Sequence, residues 1–177
     1  MTEDTAAVLI RAEEPADAAA VRAVNELAFG QPVEADLVDA LRAAGKAVVA
    51  LVAVAGGRVV GHILFSEVRI EPDAGDAAAV AAGLAPMAVL PEFQRRGIGS
   101  RLVEAGLARC REAGYGASIV LGHPEYYPRF GYVPASRFSV RSTYEVPDEV
   151  FMAQELRPGA LAAAAGLARY APEFDAA

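Results

Sequence analysis

Gln94-Arg95-Arg96-Gly97-Ile98-Gly99 is the stretch on which the fold turns. It follows an apolar run ending at Leu90-Pro91 and a polar loop from Glu92, and it opens a helix read over residues 97–113. The first turn of a helix carries backbone N–H groups without partners inside the helix, and the macrodipole adds partial positive charge there. A phosphate at that end satisfies those donors. Glycine matters at this point because a Cβ would hold the phosphate off the backbone. Arg95 and Arg96 add mobile positive charge beside it. The residues therefore predict a diphosphate site at a strand–loop–helix junction. Two common diphosphate folds fail at particular positions. A Walker loop needs Gly followed by Lys and then Ser or Thr, and no Lys stands here. A dinucleotide fold needs G-x-G-x-x-G, and Leu102 occupies the place of the last Gly.

Upstream, Val8-Leu9-Ile10 reads as a first strand. Pro15-Ala16-Asp17 opens a helix in which Val21, Val24, Leu27 and Ala28 recur at helical spacing as far as Phe29, and Gly30-Gln31-Pro32 breaks it. Glu34 and Asp36 open a second helix with Leu37, Val38 and Leu41 as its stripe and Gly45 as its stop. Residues 47–55 are almost wholly apolar and valine-rich, as expected of a strand buried on both faces. Gly56-Gly57 turns the chain into a partner strand over 59–70, and 71–76 is a polar loop. Residues 84–90 form the strand that leads into the diphosphate loop. Pro86 has no N–H to give a ladder, so a bulge or local opening is expected there. Downstream, 117–121 is a strand and 124–130 a short helix or turn. Residues 133–140 and 150–156 read as two last, antiparallel strands. The tail 157–177 is rich in Ala and Pro, and no period assigns it an element. This order gives a mixed α/β domain. A length of 177 residues fits one domain, with a core of about 8–156 and the tail 157–177 packing on it.

The bulk composition bounds the function. A hydrophobic fraction of 54% against 22% charged can fill a core, although much of it is alanine. The formal net charge of −7 argues against general nucleic-acid binding, which needs clustered cations to displace counterions. An acidic surface tolerates or attracts a cationic substrate such as an amine. Cys110 is the only cysteine, so neither an intrachain disulfide nor a thiolate metal cluster can form, and no metal is expected. The polar, acidic start at residues 1–7 has no signal-peptide pattern, and no apolar run reaches membrane-span length. A cytoplasmic protein without a membrane partner is the expectation, and homodimerisation is left open.

The segment resembles the acetyl-CoA loop of the GCN5-related N-acetyltransferases (GNAT), whose pattern is Q/R-x-x-G-x-G/A after a strand. Gln94, Gly97 and Gly99 fill its fixed positions, with Val89-Leu90-Pro91-Glu92-Phe93 as the lead-in. Tyr127-Pro128-Arg129-Phe130-Gly131-Tyr132 looks like the second signature of that superfamily. Ala28-Phe29-Gly30, Gly61-His62-Ile63-Leu64-Phe65-Ser66 and Leu84-Ala85-Pro86-Met87-Ala88-Val89 are similar to its YhbS-like branch. The resemblance implies an α+β acyl-CoA N-acyltransferase fold. Its central sheet is mixed but mostly antiparallel, flanked by helices, with one bulged and splayed central strand. It also implies an acetyl-CoA-dependent N-acetyltransferase acting on an amine.

On that resemblance Met87, Ala88 and Val89 pair with pantetheine as if the cofactor were an added strand, and a backbone N–H near Val89 polarises the thioester carbonyl. Gln94, Arg95, Arg96, Gly97, Ile98, Gly99 and Ser100 hold the diphosphate. Tyr127 matches the general acid that protonates the departing CoA thiolate; the adjacent Tyr126 is set aside by its spacing to Gly131. The base is open. Glu67 is one candidate, His62 another, and strand alternation puts these two on opposite faces. His62 also reads as a packed core residue, and His123, at a strand end, could orient substrate or water. Phe29 and Glu34 are candidates for contacting the acceptor. Cys110 falls on the apolar stripe of its helix, so direct attack in a ternary complex is expected rather than an acyl-cysteine. An acyl-CoA-binding sensor without turnover is the competing reading.

Overall fold

The structure is a computed structural model and describes residues 7–177. The opening residues 1–6, whose polar composition was read above, lie outside it. Strand β1 (Val8–Ala12) leads through a 3₁₀ turn at Pro15–Asp17 into α1 (Ala18–Phe29). Gly30, at φ +71, ends that helix, and α2 (Val33–Ala43) follows. Then come β2 (Ala47–Ala55), β3 (Arg58–Pro72), β4 (Ala79–Val89), α3 (Ile98–Glu112) and β5 (Ala117–Leu121). The last strands are β6 (Val133–Pro134), β7 (Val140–Ser142), β8 (Phe151–Glu155) and β9 (Gly166–Arg169).

All nine strands join one sheet in the order β1-β2-β3-β4-β5-β8-β6, with β9 pairing both β3 and β7. Pairing is antiparallel except between β4 and β5 and between β7 and β9. Alternation along β3 sorts the core onto two faces. Leu64 joins Val21, Leu37, Leu41 and Val52 under α1 and α2. Ile63 and Phe65 pack with Ile98, Leu102 and Leu107 of α3 on the other face. A mid-helix glycine costs about 1 kcal/mol against alanine, yet Gly106 has no alternative: a Cβ there would stand 2.9 Å from Cζ of Phe65 and nearer still to its Cε2.

The structure corrects the sequence reading in three places. β4 begins at Ala79, five residues before the apolar run suggested. The single strand expected over 133–140 is broken by a 3₁₀ turn, Ala135–Phe138, and by Ser139 at φ +57. That left-handed residue turns the chain, so β6 pairs with β8 while β7 pairs with β9. The tail, given no element, supplies β9. Gly166 makes this pairing possible, because a Cβ there would strike the carbonyl oxygen of Glu71.

Candidate active site

β4 and β5 run side by side only at Ala82↔Ser118, Gly83↔Ile119 and Leu84↔Val120. Beyond Leu84 they part. β5 ends at Leu121, while β4 continues to Val89 against β3 alone. The opening starts where the β3–β4 register slips between Ile63↔Met87 and Phe65↔Leu84, so β4 fits one extra residue at 85–86. This is the bulge expected at Pro86. The outer edge of residues 85–89 has no strand partner among the described residues and forms one wall of a cleft of about 970 Å³. The lining of the cleft includes both residues of α1 and α2, such as Phe29 and Leu37, and residues of α3, such as Ile98 and Ser100.

At the α3 end, Pro91–Phe93 forms a 3₁₀ turn, Gln94 is extended, and Arg95 and Gly97 both take left-handed φ, +62° and +80°. Gly97 is the N-cap of α3 and brings no side-chain cap. The first helical bond to its carbonyl comes from Arg101, so the N–H groups of the first turn are free of helical partners. Successive amides in this conformation form an anion-binding concavity. A Cβ at Gly97 would meet nothing within 4 Å, so the backbone angle, not space, calls for glycine. Gly99 differs: its Cβ would stand 3.1 Å from the Tyr126 hydroxyl and 3.5 Å from Cε of Met87.

The structure divides the predicted cofactor residues. Met87, Ala88, Val89, Gln94, Arg95, Gly97, Ile98, Gly99 and Ser100 all line the cleft. The Gln94 amide donates to the Val89 carbonyl at 3.0 Å, so this side chain braces the loop against the end of β4. Arg96 is not on the cleft wall; its guanidinium lies 5.3 Å from the centroid of the Phe93 ring.

Tyr127 stands on the opposite wall, 7% exposed, at the start of the 3₁₀ turn Tyr127–Phe130. Its ring is held edge-on by Tyr126 at 5.1 Å and Tyr132 at 5.8 Å. Gly122 gives it room, since a Cβ there would lie 2.9 Å from Cδ2 of Tyr127 and closer to Cε2. Burial, with a smaller contribution from Tyr126, pushes the hydroxyl up to about 12, so it carries its proton at neutral pH. Sequence spacing set Tyr126 aside, yet it lines the same cleft, with its hydroxyl 3.4 Å from Ser100 Oγ and Arg129 stacked 4.4 Å over its ring.

Phe29, 41% exposed, and Glu34 line the cleft on the α1–α2 side, where the Gln31 amide donates to the Glu34 carboxylate at 3.0 Å. His123 is on the wall next to Gly122. Phe174, from the tail, also lines the cleft, and nothing in the local sequence pointed to it.

Glu67 is not brought to the cleft. It is exposed and accepts a hydrogen bond from the Tyr115 hydroxyl at 2.8 Å, just past the C-terminal end of α3. The Gln94–Gly99 loop is at the other end of that helix, whose 15 residues span about 22 Å. Glu67 is therefore not among the groups that the cleft brings together, although its place on β3 pairs it with Ala82, three residues before the bulge. His62 is on the opposite face, as alternation required, and it is wholly buried. Its Nδ1 lies 3.2 Å from the Asn25 amide, and its Nε2 lies 3.5 Å from Glu13, longer than a well-formed hydrogen bond. Burial alone would raise the Glu13 carboxyl, but His62 and Arg42 outweigh it and hold the group below its ordinary range. Cys110 is fully buried, and burial pushes its thiol up to about 12, which leaves it inert as a nucleophile. Among the described residues no group of three or more His, Cys, Asp or Glu side chains could hold a metal ion, and no helix is long and apolar enough to cross a membrane.

A sequence model of the acetyltransferase (GNAT) domain matches residues 10–135. The chain is 34% identical over 169 residues to the Escherichia coli K12 N-acetyltransferase YhbS, spanning 95% of this chain and 99% of that one. It is 38% identical over 136 residues to YjhQ of the same organism, spanning 75% and 74%. The crystal structure of E. coli YhbS in complex with CoA superposes with a TM-score of 0.88 over 99% of this chain and 96% of that one, at 34% identity. A GNAT acetyltransferase from Brucella melitensis in complex with acetyl-CoA gives 0.77 at 36% identity, over 96% of this chain and 99% of that one.

Proposed function

The chain belongs to the GNAT acetyltransferase family, and from that premise we propose that it transfers the acetyl group of acetyl-CoA to a primary amine by direct attack in a ternary complex. One observation carries the reading: the unpartnered edge of β4 leads straight to the uncapped start of α3. A diphosphate fits the first-turn amides of Ile98, Gly99 and Ser100 beside Arg95. An amide-bearing arm fits the open edge at 85–89, pairing as a strand would. That two relatives form complexes with CoA and with acetyl-CoA supports CoA as the group held.

In the reaction the amine nitrogen attacks the thioester carbonyl carbon, and the C–S bond breaks as the tetrahedral oxyanion collapses. A backbone N–H on the open edge of residues 85–89 would stabilise that oxyanion, an effect commonly worth about 3 kcal/mol per donor. The Tyr127 hydroxyl, protonated at neutral pH and paired with no side chain among the described residues, donates to the departing sulfur. The proton lost by the amine leaves through His123 or solvent on the acceptor side. Phe29 and Glu34 stand where the acceptor enters, and Glu34 suits an ammonium group before it is deprotonated. The buried thiol of Cys110 supports direct attack, because no other cysteine exists to carry an acyl intermediate.

The test is a thiol-release screen of acetyl-CoA against a broad panel of amines, with Gly97→Glu as the inactive control. Acceptor-dependent release with the wild type and none with the control is expected. Acetyl-CoA binding without release across the panel would replace the enzyme reading with that of a sensor.

A further inference from the structure

We propose that the cleft continues into a second, apolar cavity that takes the acyl chain of acyl-CoAs longer than acetyl. The inference rests on the acyl-CoA reading above and names a substrate class within it. A cavity of about 360 Å³ adjoins the cleft, and Leu84, Ala85, Leu121, Phe174 and Ala177 line both. Tyr144, Val146 and Tyr170 are the remaining residues of the annexe. Its aromatic rings form one row, with Tyr144 and Tyr170 centroids 5.9 Å apart and Tyr170 and Phe174 5.0 Å apart. Among the described residues lining it, no side chain is charged.

Direction along β4 decides which part of the substrate reaches it. The diphosphate loop follows Val89, so the arm runs back along β4 from Val89 toward Leu84. Those five steps cover about 17 Å, and an extended pantetheine arm is roughly 15 Å long. The thioester therefore falls near the bulge at 85–87, and whatever extends from its carbonyl continues to Leu84 and Ala85, the residues at the mouth of the annexe. The acceptor comes from the other lobe, lined by Phe29 and Glu34. The annexe volume corresponds to roughly ten water molecules at about 30 Å³ each, enough for the extra methylenes of a butyryl or hexanoyl chain. A terminal carboxylate would find no cation there, only the Tyr144 and Tyr170 hydroxyls, the latter otherwise unpaired among the described residues, and a buried charge without a counter-charge is costly.

The test is calorimetric titration of the intact protein with CoA and with acetyl-, butyryl-, hexanoyl- and succinyl-CoA. Each methylene moved into the annexe is expected to tighten binding by up to about fourfold, so butyryl-CoA binds up to about fifteenfold more tightly than acetyl-CoA. Hexanoyl-CoA should bind more tightly again, and succinyl-CoA more weakly than butyryl-CoA. Val146→Trp, which fills the annexe, and Tyr144→Ala, which opens it at a position 38% exposed, should leave acetyl-CoA affinity unchanged and remove the butyryl and hexanoyl gain. Butyryl- and hexanoyl-CoA binding no more tightly than acetyl-CoA overturns the inference, as does a gain that survives in both variants. Failure of CoA and acetyl-CoA themselves to bind is a different result, and it overturns the acyl-CoA reading as a whole.

Discussion

Replacing Gly122 with alanine should disable Tyr127 without touching the cofactor loop. Gly122 is not among the positive-φ glycines, so alanine suits its backbone and the whole effect lies in space. The added methyl would stand 2.9 Å from Cδ2 of the Tyr127 ring and nearer to Cε2, where carbon atoms need at least about 3.5 Å. The ring must retreat by roughly 1 Å, and Tyr126 and Tyr132 already hold its sides. Crowding of this kind costs about 1–3 kcal/mol of stability, which a domain of ordinary stability survives. A reacting group misplaced by 1 Å costs about a hundredfold in rate. With the acceptor found by thiol release, kcat should therefore fall about a hundredfold while acetyl-CoA affinity stays within twofold. If Gly122 acts through Tyr127, alanine at 122 should add little once Tyr127 is phenylalanine, a strong coupling in a double-mutant cycle. Near-full kcat in Gly122→Ala would refute the reasoning. So would a further hundredfold loss on top of Tyr127→Phe, because the glycine would then be acting elsewhere.

Tyr127→Phe alone should lower kcat by about 10²–10⁴-fold and leave acetyl-CoA affinity unchanged in calorimetry. Gly106→Ala sets helix propensity, which favours it by about 1 kcal/mol, against collision with Phe65; the collision should win, and urea unfolding should show a net loss of about 1–2 kcal/mol. Stability should also fall at high pH. Chiefly through burial, Tyr115, Tyr127 and Cys110 are pushed up to about 12, and Tyr132 and Tyr170 are raised. The folded chain therefore keeps protons that the unfolded chain sheds from about pH 10 upward for tyrosine. The stabilisation is complete below that point and is lost as pH rises through about 12, on the order of 2 kcal/mol for Tyr127 alone. Urea midpoints measured between pH 8 and 11.5 should decline from about pH 9, where the unfolded Cys110 thiol ionises, and more steeply above about pH 10 as the tyrosines follow.

The parts of the fold legible in the sequence are those fixed by local rules. The apolar run of β2 and the paired glycines after it were read with their observed limits, because burial on both faces and a tight turn each leave a local mark. The bulge at Pro86 was legible because proline has no N–H. The loop and helix start at Gln94 to Gly99 were legible because Gly97 takes the left-handed angle that opens α3 and Gly99 lies close to Tyr126. What was missed depends on distance across the fold. β9 has little strand propensity of its own and exists because Gly166 lets two backbones touch. Alternation put Glu67 and His62 on opposite faces but could not tell which end of α3 Glu67 would reach. The motif assigned Gln94 to the cofactor, while the folded loop spends its amide on the Val89 carbonyl. The annexe joins Leu84 with Tyr144 and Tyr170, side chains that share no pattern along the chain.

The most direct measurement is calorimetric titration of acetyl-CoA into the wild type and into Gly97→Glu. The glutamate side chain enters open space, so the variant should fold, with about 1–2 kcal/mol of strain from its left-handed backbone. It also sets a carboxylate where the diphosphate would accept from the first-turn amides of α3. Charged hydrogen bonds contribute about 1.5–3 kcal/mol each, so affinity should drop by at least about a hundredfold. Equal affinity in a variant that melts as a folded protein would contradict the assignment of Gln94 to Gly99 as the acetyl-CoA loop.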